Sequence, residues 1–279
     1  MDSTLTETLR ELAEAASVAI DSIKINSVYR EIRDGRPMWL KRRKPGSEFI
    51  AVLANLFFRL AHARIHVWVN PGKWQRWEVS CFHLLYDPGF RAFAEGSRMV
   101  CADKVPGRSL LEHVNHGTLT PSILEAAARE FRRVHELWCG EFGNLWSHGD
   151  PLLNNVIYDE AADRARLIDF EVAHERSLSA VARHGDDLLA FLQDMVGRVS
   201  AEQWLPFALC FLNAYDRPEV AAELRKHLSV PPGFSGLWWK LRTHYLDGEE
   251  LICRFGALAR ALDRILKRQA TSTYILSAR

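Results

Sequence analysis

Three side chains within a short span could do chemistry together. In Ser147-His148-Gly149-Asp150-Pro151-Leu152-Leu153-Asn154-Asn155, a carboxylate and a primary amide stand five positions apart. Fourteen residues beyond Asn155 comes a second carboxylate, in Leu167-Ile168-Asp169-Phe170-Glu171. Two short apolar runs, 155–158 and 165–168, flank a polar turn from Asp159 to Arg164, which predicts a hairpin. That hairpin would bring Asn155 and Asp169 to the same end. A carboxylate beside an amide oxygen is a hard ligand set suited to Mg²⁺. Asp150 would then lie across the loop, able to accept a proton from a hydroxyl. Phosphoryl transfer needs this division of labour, because its chemistry is mostly positioning and charge neutralisation.

His-Gly-Asp alone is weak evidence, and the same chain shows why. The tripeptide recurs at His184-Gly185-Asp186, but the fifth residue after Asp186 is Phe191 and no Asp-Phe follows. The second copy reads as a helix start, with Asp186 and Asp187 in the first turn. Only the first copy has the asparagine, the strand pair and the later aspartate.

The elements that must hold these residues can be read in order. Leu5, Leu9, Leu12, Ala16 and Ile20 give residues 4–20 a helical period. Apolar runs on either side of Asp34-Gly35 predict a β-hairpin over 26–33 and 37–43. Two helices follow. In 48–61, Phe49, Val52, Leu53, Leu56, Phe57 and Leu60 make one apolar face; in 73–86, Trp74, Trp77, Cys81, Phe82 and Leu85 do the same. Strands are expected at 91–93 and 99–104, turned by Glu95-Gly96-Ser97. Beyond Pro106-Gly107 the pattern becomes helical. Thr120-Pro121 starts one helix, and 184–198, 201–215, 217–228 and 247–268 read as others. A small mostly-β part followed by a mostly-α part predicts an α+β, two-lobed chain, split as 1–104 and 105–279.

Bulk properties narrow the function classes. The chain has 279 residues, 48% of them apolar and 25% charged, which excludes global disorder. A formal net charge of +1 provides no field to steer nucleic acid. The N-terminus carries Asp2, Glu7, Glu11 and Glu14, unlike a secretory signal, and no apolar run is long enough to span a membrane. The five cysteines are scattered and form no C-x-x-C pair, so a reducing, cytoplasmic setting is expected rather than disulfides or zinc.

His148-Gly149-Asp150 with Asn155, followed by Ile168-Asp169-Phe170-Glu171, resembles the aminoglycoside phosphotransferases and related small-molecule kinases of the protein-kinase-like superfamily. The lipopolysaccharide-core sugar kinases are a second, similar branch. The resemblance is specific over about 147–171 and extends by layout over about 26–200. It implies a bilobal protein-kinase-like fold, ATP and Mg²⁺ as cofactors, and a small-molecule or glycan hydroxyl as acceptor. Asp150 would be the catalytic base, Asn155 and Asp169 the metal ligands, and His148 a brace for the loop.

The resemblance also calls for a phosphate-gripping lysine after the first hairpin. Lys41, in Met38-Trp39-Leu40-Lys41, fits, with Arg42, Arg43 and Lys44 left as an ordinary solvated basic run. Its glutamate partner would be Glu48 or Glu78. Glu78 falls inside an apolar helical stripe, where a carboxylate is expensive unless paired, so Glu78 is the expected partner. The chain departs from protein kinases elsewhere. Residues 20–35 hold no Gly-x-Gly-x-x-Gly loop, leaving Asn26, Ser27 and nearby backbone to cover the phosphates. Gly149 stands in place of arginine, Glu171 in place of glycine, and no Ala-Pro-Glu follows. These changes suit small-molecule substrates. Two other readings stay open: a kinase-like binding or scaffold protein without turnover, favoured by the missing glycine loop, and a membrane-associated lipopolysaccharide sugar kinase with peripheral contact through residues 41–44 and tryptophans such as Trp238 and Trp239.

Overall fold

The computed structural model describes residues 25–277, with side chains as far as 268. The helix expected over 4–20 lies outside the described residues. The chain divides into two units. One comprises the residues up to Val105 together with Asp169–Glu175 and Pro231–Arg242; the other comprises Pro106–Ile168, Arg176–Val230 and the residues from Thr243 onward. The fold class is α+β, an antiparallel N-terminal sheet followed by a largely helical part.

The first unit is built on strands β1 (Asn26–Arg33), β2 (Arg36–Arg43), β4 (Ala92–Glu95) and β5 (Met99–Asp103), in the antiparallel order β1-β2-β5-β4. Asp34 and Gly35 both have positive φ, 50° and 74°, and join β1 to β2 with Arg33 opposite Arg36. Such a two-residue turn matches the twist of the strands it connects. Met38 and Leu40 of β2 bury against Met99 and Cys101 of β5. Helix α1 (Ser47–Leu60) and helix α2 (Pro71–Leu85) follow β2, separated by β3 (Ile65–Val67). Asn70 caps α2, its side chain accepting from Lys73 N–H at 2.9 Å. A late strand, β11 (Val172–His174), pairs antiparallel with β3.

The apolar face of α1 is not buried. Phe49 is 69% exposed and Val52, Leu53, Leu56 and Leu60 are 49–53% exposed, while only Ser47 and Ala51 of this helix are fully buried. Phe57 and Phe58 lie to one side, edge-on to Trp238 at 6.0 and 5.2 Å between centroids.

In the second unit, β6 (Arg108–Ser109), β9 (Val156–Asp159) and β10 (Arg164–Leu167) form a small sheet in the order β10-β9-β6, and β7 (Trp138–Cys139) pairs antiparallel with β8 (Asn144–Leu145). Gly107 fixes the close approach to β9. Its φ is +106°, and a Cβ there would stand 2.1 Å from the Tyr158 carbonyl oxygen, which only glycine avoids. Helix α3 (Leu110–Asn115) carries a Ser109/Glu112 capping box, and α4 (Pro121–His135) is capped by Thr120. The core gathers α4, α5 (Ala180–Val196) and α6 (Ala201–Tyr215), with Phe131 edge-on to Phe191 and Phe211 at 5.3 Å. Helix α7 (Pro218–Lys226) packs against α5, and α9 (Gly248–Ser277) against α6 and α7. Helix α8 (Gly233–Arg242) belongs to the first unit, where Ser235 donates to the Ala61 carbonyl at 2.9 Å. No helix among the described residues is long and apolar enough to cross a membrane.

Candidate functional site

Lys41 stands on β2 with its side chain 10% exposed, and its ammonium is met from three directions. Glu78, on α2, accepts from Nζ at 3.0 and 3.2 Å. Glu171 lies 2.8 Å from Nζ, and Asp169 also accepts from it. Trp74, one turn before Glu78, places its ring 5.9 Å from the same nitrogen. Burial alone would pull the ammonium down, but Asp169, Glu171 and Glu78 outweigh it and hold Lys41 well above the usual lysine range. Burial pushes the Glu78 carboxyl up to about 7; Lys41 opposes the rise, and Asp169 and Glu171 add to it.

The two candidate glutamates therefore part company. Glu78 is buried and bound to Lys41, whereas Glu48 lies at the start of α1 and pairs with Arg98. Arg43 corrects an expectation. It is not part of a solvated run: it is fully buried, donates to the Trp68 carbonyl and lies 4.9 Å over the Trp74 ring. The sheet turns Arg43 inward because Lys41 and Arg43 share a face of β2.

Backbone geometry brings Asp169 and Glu171 to Lys41. Asp169 has a φ of +69°, a left-handed conformation that aspartate tolerates better than bulky residues. The next residue, Phe170, is fully buried with its ring edge-on to Phe82 of α2 at 5.0 Å. With Phe170 anchored there, its two neighbours fall on the Lys41 side. Glu171 also accepts from the Asn26 side-chain amide, tying the start of β1 to the cluster. The Oδ1 of Asn26 is buried and has no partner among the described residues.

The second unit holds Asp150 and Asn155 in one loop. Asn155 Nδ2 donates to the Asp150 carbonyl at 3.0 Å, and Ile168 N–H donates to the Asn155 carbonyl at 2.9 Å. His148 is buried and braces this loop: Asp150 N–H donates to its Nδ1 at 3.2 Å, so Nε2 carries the proton and donates to the Ile168 carbonyl at 3.0 Å. Gly149 has a φ of +93°, which explains a glycine where a side chain would be strained.

The loop rests on two aspartates of α5. Asp187 accepts from the backbone N–H of His148 at 2.8 Å and of Gly149 at 2.7 Å. Asp194 accepts from Leu153 N–H at 2.8 Å and from Arg198 at 2.7 Å. This corrects the reading of the second His-Gly-Asp as a helix start. The helix begins earlier, at Ala180 with Ser179 as its cap, so His184 and Asp187 lie inside it and are fully buried. Asp187 also accepts from His135 Nε2 at 3.1 Å; Tyr215 donates to His135 Nδ1 at 2.8 Å. The signal was the spacing of Asp187 and Asp194, seven apart and so on one face of a helix that also carries Arg183, His184, Asp186 and Gln193.

No family model and no curated protein matches the chain. Among solved structures, an ethanolamine kinase from Plasmodium vivax is similar to it, with a TM-score of 0.45 and 12% identity, covering 86% of this chain and 83% of that one. The aminoglycoside phosphotransferase APH(2'')-Ib, with ADP bound, gives a TM-score of 0.43 at 14% identity, covering 93% of this chain and 97% of its own. An aminoglycoside-3'-phosphotransferase of type VIII gives 0.43 at 16% identity, covering 79% and 89%.

Proposed function

We propose that this chain is an ATP- and Mg²⁺-dependent phosphotransferase that moves the γ-phosphate to a hydroxyl of a small molecule or glycan. The observation that carries the reading is the buried Lys41–Glu78 pair beside Asp169. A lysine held rigid by a glutamate on the neighbouring helix is oriented to grip phosphate oxygens. Its partner carboxylate costs a good deal to bury, and packing alone offers no return for it.

The donor chemistry fits a hard cation. Three carboxylates, Glu78, Asp169 and Glu171, surround one ammonium in the first unit, and the amide oxygen of Asn26 there has no donor among the described residues. Among the described residues no group of three or more His, Cys, Asp or Glu side chains is placed to hold a metal ion by itself. Mg²⁺ needs none, because it keeps several waters and takes one or two protein oxygens plus phosphates. Asp169 and the Asn155 side-chain oxygen would hold it, the Asn155 nitrogen being engaged by the Asp150 carbonyl. When bound, the ion would neutralise phosphate charge. Asp150 would accept the proton of the acceptor hydroxyl, and Lys41 would align the phosphates. A cytoplasmic setting is part of the same proposal, supported by five cysteines scattered along the sequence without a C-x-x-C pair.

Calorimetry of ATP binding tests this reading. Binding is expected with Mg²⁺ and is expected to weaken strongly in EDTA and in Asp169→Ala. Equal affinity under all three conditions would overturn the metal assignment. A binding protein without turnover is the second reading, favoured by the lack of a glycine-rich loop in 20–35. Mg²⁺-dependent ATP hydrolysis by the parent chain, with water replacing the acceptor, separates the two.

A further inference from the structure

Asn155 closes a single 3₁₀ turn, Leu153–Asn155, and Leu152 at its start offers no capping side chain. The first N–H groups of such a turn need an acceptor from elsewhere. It comes from 41 positions along the chain: Asp194 of α5 accepts the Leu153 N–H through Oδ2 at 2.8 Å. Asn155 N–H donates to the Leu152 carbonyl at 2.8 Å, so the backbone held at Leu153 also sets the backbone of Asn155.

Asp194 is itself fixed. Its side chain is 5% exposed, and its other oxygen accepts from Arg198 Nε at 2.7 Å. Arg198 follows Gly197, which closes α5, and its guanidinium lies 4.1 Å over the Tyr245 ring. The same ring is pressed on the helix end: a Cβ at Gly197 would stand 3.1 Å from Tyr245 Cδ2. Arg254 of α9 holds the backbone on both sides of Arg198, donating to the Val196 carbonyl at 2.7 Å and to the Val199 carbonyl at 2.9 Å. The end of α5 is therefore clamped, with Arg198 bonded to Asp194 and stacked on Tyr245.

We propose that Asp194 and Arg198 are positioning residues for the cation: they hold the 153–155 turn so that Asn155 presents its side-chain oxygen, a role that rests on the proposed Mg²⁺ contact of Asn155. Stability alone gives little reason for the pair, because a buried carboxylate and its arginine can commonly be exchanged for well-packed apolar residues at no loss. What apolar residues cannot supply is a fixed acceptor for one backbone N–H in a turn that carries a metal ligand. Partners that orient a ligand in this way are commonly worth 10–100-fold in metal affinity.

Two measurements on the full chain test the assignment, using Asp194→Asn, Arg198→Leu and Arg198→Lys. The first is calorimetry of ATP binding over a series of Mg²⁺ concentrations. Asp194→Asn keeps the size of the side chain but has one acceptor oxygen for two donors; Arg198→Leu leaves the carboxylate without its cation. In both, the Mg²⁺ concentration that gives half of the full ATP affinity should rise about tenfold or more, while ATP affinity in EDTA stays at the parent's value. Arg198→Lys keeps a charged donor and should recover most of the loss. The second measurement is amide hydrogen exchange of the metal-free protein by NMR. The Leu153 amide should exchange about tenfold faster in Asp194→Asn and Arg198→Leu, the equivalent of one lost hydrogen bond. Phe191, inside α5, should keep its rate and so report that the variant is folded. If Asp194→Asn does not fold, the two Arg198 variants carry the test, since that side chain is 24% exposed. Faster Leu153 exchange with an unchanged Mg²⁺ requirement makes the contact purely structural and overturns the proposal; unchanged Leu153 exchange overturns it as well. A parent chain that binds ATP equally in Mg²⁺ and in EDTA overturns the metal reading itself and this role with it, so the two failures are told apart by the parent alone.

Discussion

Asp187 holds His148 through the backbone: one carboxylate oxygen accepts the His148 N–H at 2.8 Å while the other accepts that of Gly149 at 2.7 Å. The residue after Gly149 is Asp150, so this carboxylate sets the course of the chain into the proposed base. Asp187→Ala should take the carboxylate acceptor from two buried N–H groups and from His135 Nε2, which keeps its Tyr215 bond at Nδ1. Each orphaned group costs about 1–3 kcal/mol, so a total loss of about 3 kcal/mol or more is expected in urea denaturation. Asp187→Asn keeps the shape but offers one acceptor oxygen, and should fall between. An alanine variant as stable as the parent would show that the loop holds itself.

Glu78 and Glu48 should respond differently to truncation. Removing one partner of a buried ion pair commonly costs about 3–5 kcal/mol, mostly from the charge left stranded. In Glu78→Ala, Lys41 keeps Asp169 and Glu171, so about 2 kcal/mol is the expected loss. Glu48→Ala should leave the melting temperature unchanged, because its pair with Arg98 is open to solvent. ATP affinity should fall in the first variant and hold in the second. The reverse order in either measurement would return the role to Glu48.

His184 should make the protein sensitive to acid. Its Nε2 donates to the Trp146 carbonyl at 2.9 Å, its Nδ1 is buried with no hydrogen-bond partner among the described residues, and the His135 ring stacks on it at 4.0 Å. Burial, with His135 adding to it, pulls the imidazole pKa from 6.5 to about 2. The folded pKa is the lower one, so the unfolded chain takes up the proton first. Stability from the neutral ring is complete above about pH 6.5 and is lost as pH falls below it, by about 1.4 kcal/mol per pH unit. His184→Gln keeps a donor for Trp146 and removes the titration. Its melting temperature should depend less steeply on pH between 6.5 and 4.5. Parallel profiles for the two chains would assign the acid response elsewhere.

Local signals made much of this molecule legible. Asp34-Gly35 announced the hairpin because its turn demands two positive φ values, and Thr120-Pro121 announced α4 because capping chemistry is local. Glu78 stood out because a carboxylate inside an apolar stripe needs a partner. Long-range relations were hidden. Nothing near Ile65 or Val172 reveals that β3 and β11 pair, since a three-residue strand carries no period. Arg43 read as solvated because a basic run looks alike whether its residues face water or an aromatic ring. In the sequence Glu171 stands out only as a glutamate in place of glycine, because its contacts with Lys41 and Asn26 depend on Phe170 being anchored against Phe82.

Asp150 and Asp169 should separate turnover from binding. In the proposed mechanism Asp150 touches the acceptor hydroxyl, whereas Asp169 links protein to metal and phosphates. Asp150→Asn keeps the size of the side chain, and the loop contacts made by its backbone N–H and carbonyl are unaffected. Folding should therefore survive, ATP affinity should stay close to the parent's, and hydrolysis or transfer should fall by about 10²–10⁴, the usual worth of a positioned base. Asp169→Asn should lower both affinity and turnover. It also removes one of the carboxylates on Lys41, so its melting temperature should be followed alongside. A scaffold protein would show no such split, since neither variant would have turnover to lose. If Asp150→Asn hydrolyses ATP as fast as the parent, and transfer to any identified acceptor is also unimpaired, Asp150 is not the base and the mechanism fails at its central step.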